Sequence, residues 1–379
     1  MSAEFPYISA LCFPPQSYLY HTRNYLVTNF QDIMTVTAKE LRIGIAGAGR
    51  MGRIHIMNIL ETRFVRITAV CSVIHSELEW AKEHVPGAEL VTSFDEFIVK
   101  DTFDAVIIVT PNGLHAQQVR AALANGKHVF CEKPLSPDAK SAWEVYYDSL
   151  KYPHLKVACG FPRRYVPAYV IAARKIRNGD IGDVITLRSQ TTDLIMNNDY
   201  FVNYIKTSGG IFVDCCIHDI DACLFLLGKD ELPSRAYATG TTNVFPVFEK
   251  FGDVDDGMGL VDFANGKTIM NVYGSRDNRH GHHSMTEVIG TKGRILINGQ
   301  PRLFNLDISD DSGTRMEGAE TQMEVFGSAF KNEIEAFRDW ILEGKEPNFN
   351  LKDAAKAASI GAALMDSLHR KGQVDVVTY

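Results

Sequence analysis

Residues Gly209 to Asp221 read GGIFVDCCIHDID and bring two cysteines, one histidine and three aspartates together. Such side chains bind metals or move protons. A structural zinc site needs four ligands in paired spacings such as C-x-x-C. Cys215 and Cys216 are adjacent, so on a helix they point about 100° apart and cannot both join a face with Asp214 and His218. With Cys223 they read as small buried apolar residues, and no metal site is expected. Asp214 and His218 are four positions apart, so a single helix through the stretch projects both from one face, with Asp221 continuing the stripe. That pair suits proton transfer, because an ordinary imidazole titrates near working pH. The competing reading is a satisfied structural histidine.

A second group of residues points to a dinucleotide. Gly47-Ala48-Gly49-Arg50-Met51-Gly52 fits G-x-G-x-x-G. It follows an expected strand and opens an expected helix within a βαβ unit, the context that gives the pattern its meaning. Gly47 allows the tight turn, Gly49 lets backbone approach a pyrophosphate, and Gly52 lets helix and strand pack closely. The helix start then offers free N–H groups to the anion. About 20 residues further on, a strand end normally carries the acid that reads the adenosine ribose. Here that position is Ser72. A serine lacks the carboxylate that repels a 2′-phosphate, and Arg50 and His75 are nearby cationic candidates. The expectation is therefore NADP, with NAD as the alternative.

These residues need a scaffold, and the apolar periodicity supplies one. From Leu41, strand-like runs (LRIGIAG, VRITAVC, AELVTS, DAVIIVT, KHVFCEK, LKVACGF) alternate with helical ones joined by short connections. This is the signature of an α/β, doubly wound parallel sheet. After Phe161 the rhythm changes to a helix, a period-two strand, the opening stretch, and then strands separated by turns. The second half is thus α+β with a large, mostly antiparallel sheet, closed by two amphipathic helices. The expected division is 39–160 for the dinucleotide and 161–379 for substrate and subunit contacts, with the last helices packing back toward the first region. Residues 1–38, with Pro6, Pro14 and Pro15 and no sustained period, are expected to lie outside the fold or to reflect an upstream start; Met34 is an alternative start.

Composition limits the partners. The chain of 379 residues is 45% hydrophobic and 22% charged, ordinary values for a globular protein long enough for two cores. A net charge of −7 argues against nucleic acid and anionic membrane, and no apolar run reaches the roughly 18 residues of a span. Seven cysteines without C-x-x-C do not form a disulfide framework and fit a cytoplasmic, reducing compartment.

Four stretches in order, GIAGAGRMGRIH, TPNGLHA, GKHVFCEKPLS and SGGIFVDCCIHDID, make residues 40 to 375 resemble the Gfo/Idh/MocA oxidoreductase family. The resemblance implies a Rossmann domain followed by an α/β domain whose open sheet makes subunit contacts, hence a homodimer or homotetramer. It implies hydride exchange between NAD(P) and a carbon of a polyol or sugar. Thr110, Pro111, Asn112 and His115 of TPNGLHA, and Glu132 and Lys133 of CEKP, are implied at the cofactor. Lys133, at a strand's C-terminal end, suits alkoxide stabilisation and proton relay, with Glu132 positioning it by charge. The resemblance makes His218 the acid/base and Asp214 the group that orients substrate hydroxyls or tunes it. Arg164 in FPRRY, Asp193 and His282 are implied at the substrate. The helix stretch is nearest the inositol 2-dehydrogenase branch. Two departures weaken myo-inositol itself: Leu224 replaces a usual arginine, and HGHHSM, from His280 to Met285, puts His282 where a tyrosine is usual. The trio His280, His282 and His283 reads as a polar loop edging the site. A second reading is a non-catalytic dinucleotide-binding regulator, as in a fungal galactose-pathway repressor of the same fold; Lys133, Asp214 and His218 together favour catalysis.

Overall fold

LRIGIA, from Leu41 to Ala46, forms β1 and is buried at nearly every position. A strand apolar on both faces belongs inside a parallel sheet covered by helices. The computed structural model describes residues 39–193, 199–279, 281–301 and 307–379. The expected N-terminal extension and His280 lie outside the described residues.

Around β1 run β2 (Val65–Cys71), β3 (Glu89–Val91), β4 (Ala105–Ile108), β5 (His128–Glu132) and β6 (Val157–Gly160). They form a six-stranded sheet in the order β3-β2-β1-β4-β5-β6, parallel throughout. Winding therefore reverses between β1 and β4, where wound sheets leave a crevice at the carboxyl ends of their strands. The helices between strands are α1 (Arg50–Leu60), α2 (His75–His84), α3 (Phe94–Ile98), α4 (His115–Ala124) and α5 (Ala139–Ser149). Ile43, Ile45, Ile56 and Ile107 are at most 1% exposed, and each such side chain contributes about 1.5–3 kcal/mol by leaving water.

The next elements are α6 (Pro167–Arg177), β7 (Val184–Thr192), α7 (Asp199–Ser208), α8 (Ile211–Asp214) and α9 (Ile217–Leu227). Strands β8 (Pro233–Thr241), β9 (Asp256–Phe263), β10 (Ile269–Ser275), β11 (His283–Gly290) and β12 (Arg294–Ile297) follow. With β15 (Val374–Asp375) they build a seven-stranded sheet in the order β12-β11-β7-β10-β9-β8-β15. Only β7 and β10 pair in parallel; the other neighbours are antiparallel. In β9 burial alternates: Gly257, Gly259, Val261 and Phe263 face inward, while Met258 and Leu260 face out. A short hairpin of β13 (Asp307–Asp310) and β14 (Gly313–Met316) stands apart from both sheets.

Two long helices tie the sheets together. Helix α10 (Gln322–Glu343) starts on a capping box, Thr321 with Glu324, and lies against α1. Helix α11 (Leu351–Arg370) covers β8 and packs on α5, where Trp143 Nε1 donates to the Ser359 hydroxyl at 2.9 Å. Its alanine-rich buried face permits close approach. A Cβ added to Gly259 would stand 2.7 Å from Leu364 of this helix.

The opening stretch departs from expectation. It is two short helices, not one: α8 ends at Asp214, and α9 begins at Ile217. Between them Cys216 N donates to Ile211 O, an i to i−5 bond that widens the turn. The cysteines at this junction are buried; a Cβ on Gly274 would meet Cys216 Sγ at 2.6 Å, so β10 is pressed against the junction.

Candidate active site

The glycine loop joins β1 to α1 beside the end of β4. Gly47 has φ +100°, and a Cβ there would lie 2.6 Å from the Val109 carbonyl oxygen. A Cβ on Gly52 would lie 2.2 Å from Gly47 O. Any side chain at either position would force the loop open. Helix α1 has no side-chain cap and no acid in its first turn, so its leading N–H groups are free for an anion. Arg50 is exposed beside them, and Met51 packs toward Phe326 and Phe330. The loop thus fits a dinucleotide pyrophosphate. Thr110 caps the edge of the crevice, its hydroxyl bonded to Gln118 at 2.5 Å, while Asn112 Nδ2 donates to Ser208 O at 3.5 Å. Pro111 leads into that turn.

Beside the loop stands a residue that spacing did not single out. Glu77, in the first turn of α2, accepts from the Ser72 hydroxyl at 2.6 Å and from Ala48 N at 3.2 Å, both on Oε2. A Cβ on Gly49 would be 3.2 Å from its Oε1. The carboxylate absent from the end of β2 is therefore supplied five residues later. Only a wound-back α2 could bring it there, so counting along the strand misses it.

At the carboxyl end of β5, Lys133 Nζ donates to Asp214 O at 3.1 Å and to Asp214 Oδ1 at 3.3 Å. The lysine keeps 20% of its side chain exposed; Asp214 is nearly closed off. Two residues not anticipated complete the grip. Tyr204 Oη donates to Asp214 Oδ1 at 2.5 Å, and Arg276 Nη1 lies 3.4 Å from Oδ2. Burial works against a charged Asp214, but Lys133, Arg276 and the Tyr204 hydroxyl outweigh it and hold the carboxyl below its ordinary range. Asp253 steadies this cluster by accepting from Ile211 N at 2.8 Å, at the start of α8, while its other oxygen faces Arg276 at 3.4 Å.

His218 is the least buried residue between Gly210 and Leu227, and its ring makes no hydrogen bond among the described residues, although its backbone N–H donates to Cys215 O at 3.4 Å. Phe161 meets its ring edge-on at 6.3 Å. Burial, then the Lys133 and Arg163 cations and the neighbouring His282, push its pKa well below 6.5. The expected ordinary titration is thus corrected: the ring is neutral at working pH, which suits a proton acceptor. His282 is buried, with Nδ1 2.6 Å from Asp193 Oδ1 and Nε2 3.0 Å from the Ser284 hydroxyl. Asp193 keeps 42% of its side chain exposed. The dyad presents its carboxylate, not its ring, to solvent.

Four expected contacts are corrected. Arg164 is buried, its guanidinium taken up by Asp221 at 2.8 Å and Asp353 at 3.1 Å, so it has no donor to offer a substrate. Asp221 accordingly does not extend the Asp214–His218 stripe. His115 is buried with Nδ1 and Nε2 each 2.7 Å from a backbone carbonyl, of Pro134 and Thr110. It staples two loops and offers the cofactor no ring nitrogen. Glu132 is buried, one oxygen on His55 and the other on the Lys133 amide. In the same way Asp219 pairs with Arg163 at 2.7 Å beneath β7, where Ser189 and Thr191 also hold its carboxylate.

Comparison with known proteins matches residues 41–151 to an oxidoreductase family's NAD-binding Rossmann fold and residues 173–376 to the same family's C-terminal α/β domain. The chain is 33% identical to the scyllo-inositol 2-dehydrogenase (NAD(+)) of Bacillus subtilis, over 89% of this chain and 97% of that one. It is 31% identical to the inositol 2-dehydrogenase of Rhizobium meliloti, over 89% and 99%. The crystal structure of scyllo-inositol dehydrogenase from Lactobacillus casei with bound NAD(H) and scyllo-inositol superposes with a TM-score of 0.84, at 32% identity, covering 90% of this chain and 100% of that one.

The corrected role of Arg164 has a measurable consequence. Arg164→Ala leaves Asp221 buried without its cation. Denaturant unfolding is expected to show a loss of about 3–5 kcal/mol; a loss near zero would return the arginine to solvent.

Proposed function

The chain belongs to the Gfo/Idh/MocA oxidoreductase family, and from that premise we propose that it oxidises a cyclic polyol of the inositol class with NAD. It is a nicotinamide-dependent oxidoreductase that transfers a hydride between its cofactor and a secondary alcohol or carbonyl of a polyol or sugar. The observation that carries the proposal is the meeting of Lys133 from β5 with Asp214 from α8, beside a neutral and partly open His218.

The roles follow from charge and reach. Oxidising an alcohol requires a base for the hydroxyl proton and a cation for the developing alkoxide. His218, its ring neutral and without a hydrogen-bond partner among the described residues, accepts the proton. The Lys133 ammonium stabilises the alkoxide. Asp214 anchors that ammonium through both its carbonyl and its carboxylate, and Tyr204 and Arg276 keep it ionised and still. Asp193, oriented by His282, is positioned to accept from substrate hydroxyls. The nicotinamide, when bound, supplies the hydride acceptor. Gly47, Ala48, Gly49, Arg50, Met51 and Gly52 hold the pyrophosphate, with Thr110, Pro111 and Asn112 along the crevice edge. We read 39–160 as the cofactor region and 161–379 as the substrate region.

The preference for NADP expected from Ser72 finds no support. The Ser72 hydroxyl is already donated to Glu77, and a carboxylate at that place accepts from ribose hydroxyls and repels an added phosphate. The outer face of the second sheet carries Ile185, Tyr237, Met258, Leu260, Ile269 and Leu296, each more than 40% exposed. An apolar face this broad supports a homo-oligomer. Among the described residues no helix is long and apolar enough to cross a membrane, and free, buried thiols such as Cys131, Cys159 and Cys216 support a reducing cytoplasm.

Four measurements test these readings. In a screen of inositol isomers and sugars with NAD, Lys133→Ala and His218→Ala are each expected to lower kcat/KM about 10²–10⁴-fold. In the wild type, the acid limb of kcat/KM should fall below pH 6.5, since His218 must lose its proton to work and its pKa is depressed; turnover intact in both variants would refute the assignment. Glu77→Ala should shift the NAD over NADP preference at least about tenfold toward NADP, equivalent to about 1.4 kcal/mol of like-charge repulsion. Light scattering of Met258→Glu with Leu260→Glu should report a smaller particle than the wild type; an unchanged mass sinks the sheet-face assembly.

A further inference from the structure

One buried carboxyl among the described residues has a hydrogen-bond partner on neither oxygen. It belongs to Glu333, in α10, which is 0% exposed. A buried polar group left this way is costly unless something shares its charge or its proton. Its neighbours are His55 of α1 and Glu132 of β5, and one ligating atom from each of the three lies within 4.8 Å of the others. His55 Nε2 is 2.6 Å from Glu132 Oε1, while His55 Nδ1 lacks a partner among the described residues. Glu132 Oε2 accepts from the Lys133 amide at 3.1 Å. The cluster therefore ends on the backbone of the lysine that grips Asp214.

The surroundings are built to keep this cluster tight and dry. Phe130 and Phe330 meet the His55 ring edge-on, with centroids 5.5 and 6.3 Å away. A Cβ on Gly160 would stand 3.2 Å from the Glu132 carboxyl carbon, so β6 leaves Glu132 only the room it occupies. The other titratable groups facing the pair are Lys133 at the end of β5, Cys131 in β5, Cys159 in β6, the His115 ring at the start of α4 and the Tyr165 phenol in the turn after β6.

Two carboxyls this close in a dry site do not both ionise. Burial pushes Glu333 well above the ordinary carboxyl range, and the charge of Glu132 adds to it. Burial acts on Glu132 too, but His55 and Lys133 outweigh it and keep it low. The 2.6 Å separation of His55 from Glu132 is that of a hydrogen bond with the proton between them. A cation bound to both atoms would have to push them apart.

We propose that His55 and Glu333 are positioning residues for the reaction: His55, bonded to Glu132, and Glu333, uncharged and packed beside them, leave Glu132 as the single anion of a buried array that fixes Lys133. The array joins α1, which carries the phosphate loop, to β5, which carries the lysine, and to α10 from the far end of the chain. It rests on the reading of Lys133 as the alkoxide-stabilising group, and the experiment separates the two.

Glu333→Gln, Glu333→Leu, His55→Leu and Lys133→Ala would be assayed for NAD-dependent oxidation of myo- and scyllo-inositol. Each would also be followed by thermal unfolding from pH 5 to 8 without cofactor. Glu333→Leu and His55→Leu are expected to lower kcat about tenfold or more while leaving KM for NAD nearly unchanged, the effect of a slightly misplaced lysine. Glu333→Gln, neutral and of nearly the same shape, should restore most of kcat. A carboxyl with a raised folded-state pKa contributes stability that is full below its ordinary value of 4.5 and is lost as pH rises. Glu333→Gln should therefore gain in melting temperature over the wild type steadily from pH 5 to 8. Wild-type turnover in both leucine variants, with Lys133→Ala inactive, overturns the array alone; an active Lys133→Ala overturns the lysine reading beneath it. If Glu333→Leu does not fold, His55→Leu and the pH series of Glu333→Gln decide. A pH-independent melting difference overturns the neutral acid, and so does one divalent metal per chain that Glu333→Gln loses.

Discussion

The contact between Lys133 and Asp214 joins residues 81 positions apart in sequence, and much of the molecule can be understood as what keeps it in place. A buried carboxylate needs cations, and a partly exposed ammonium needs an anchor that does not neutralise it by taking its proton. Asp214 meets the first need with two cations, Lys133 and Arg276, and the second with an ionised group held low by them and by Tyr204. Holding it there takes the break between α8 and α9, Asp253 at the start of α8, and β10 delivering Arg276.

The same logic repeats along the opening stretch. Each of its three aspartates has its own arginine: Asp214 has Arg276, Asp219 has Arg163, and Asp221 has Arg164. Buried pairs of this kind add little net stability, since desolvation consumes most of the attraction, yet breaking one is expensive. Their effect is geometric. Arg163 and Arg164 leave β6 together and clamp α9 through two aspartates two residues apart, which sets the rotation of the helix. That rotation leaves His218 partly open while its neighbours are closed in.

Much of the scaffold could be read from the chain. Fully apolar strands alternating with amphipathic helices dictate a parallel wound sheet, and the glycine loop at its first turn is legible because each glycine answers a backbone clash, at Gly47 and Gly52, that no other residue avoids. CEKP and the aspartate–histidine pair marked the two halves of the site. Less legible were residues whose role depends on a partner distant in sequence. Glu77 looks like a helix-start acid and Arg276 like a charge after a strand, and Tyr204 lies in a stretch with no element read into it. Arg164 was misjudged for the converse reason: a charged residue reads as available until its buried partners are known.

The sequence by itself determined the alternation of strands and helices in the first sheet, the dinucleotide loop and the residue types able to move a proton, because these depend on local periodicity and on side chains a few positions apart. Tertiary structure alone decided which charges are spent. It put Glu77 where Ser72 had been expected to act, tied Arg164, His115 and Glu132 to buried partners, and lowered the titration of His218. It also assembled His55, Glu132 and Glu333 from three distant segments. The physical reason is common to all of these: the charge state and availability of a polar group follow from its burial and its partners, and both come from residues far away along the chain.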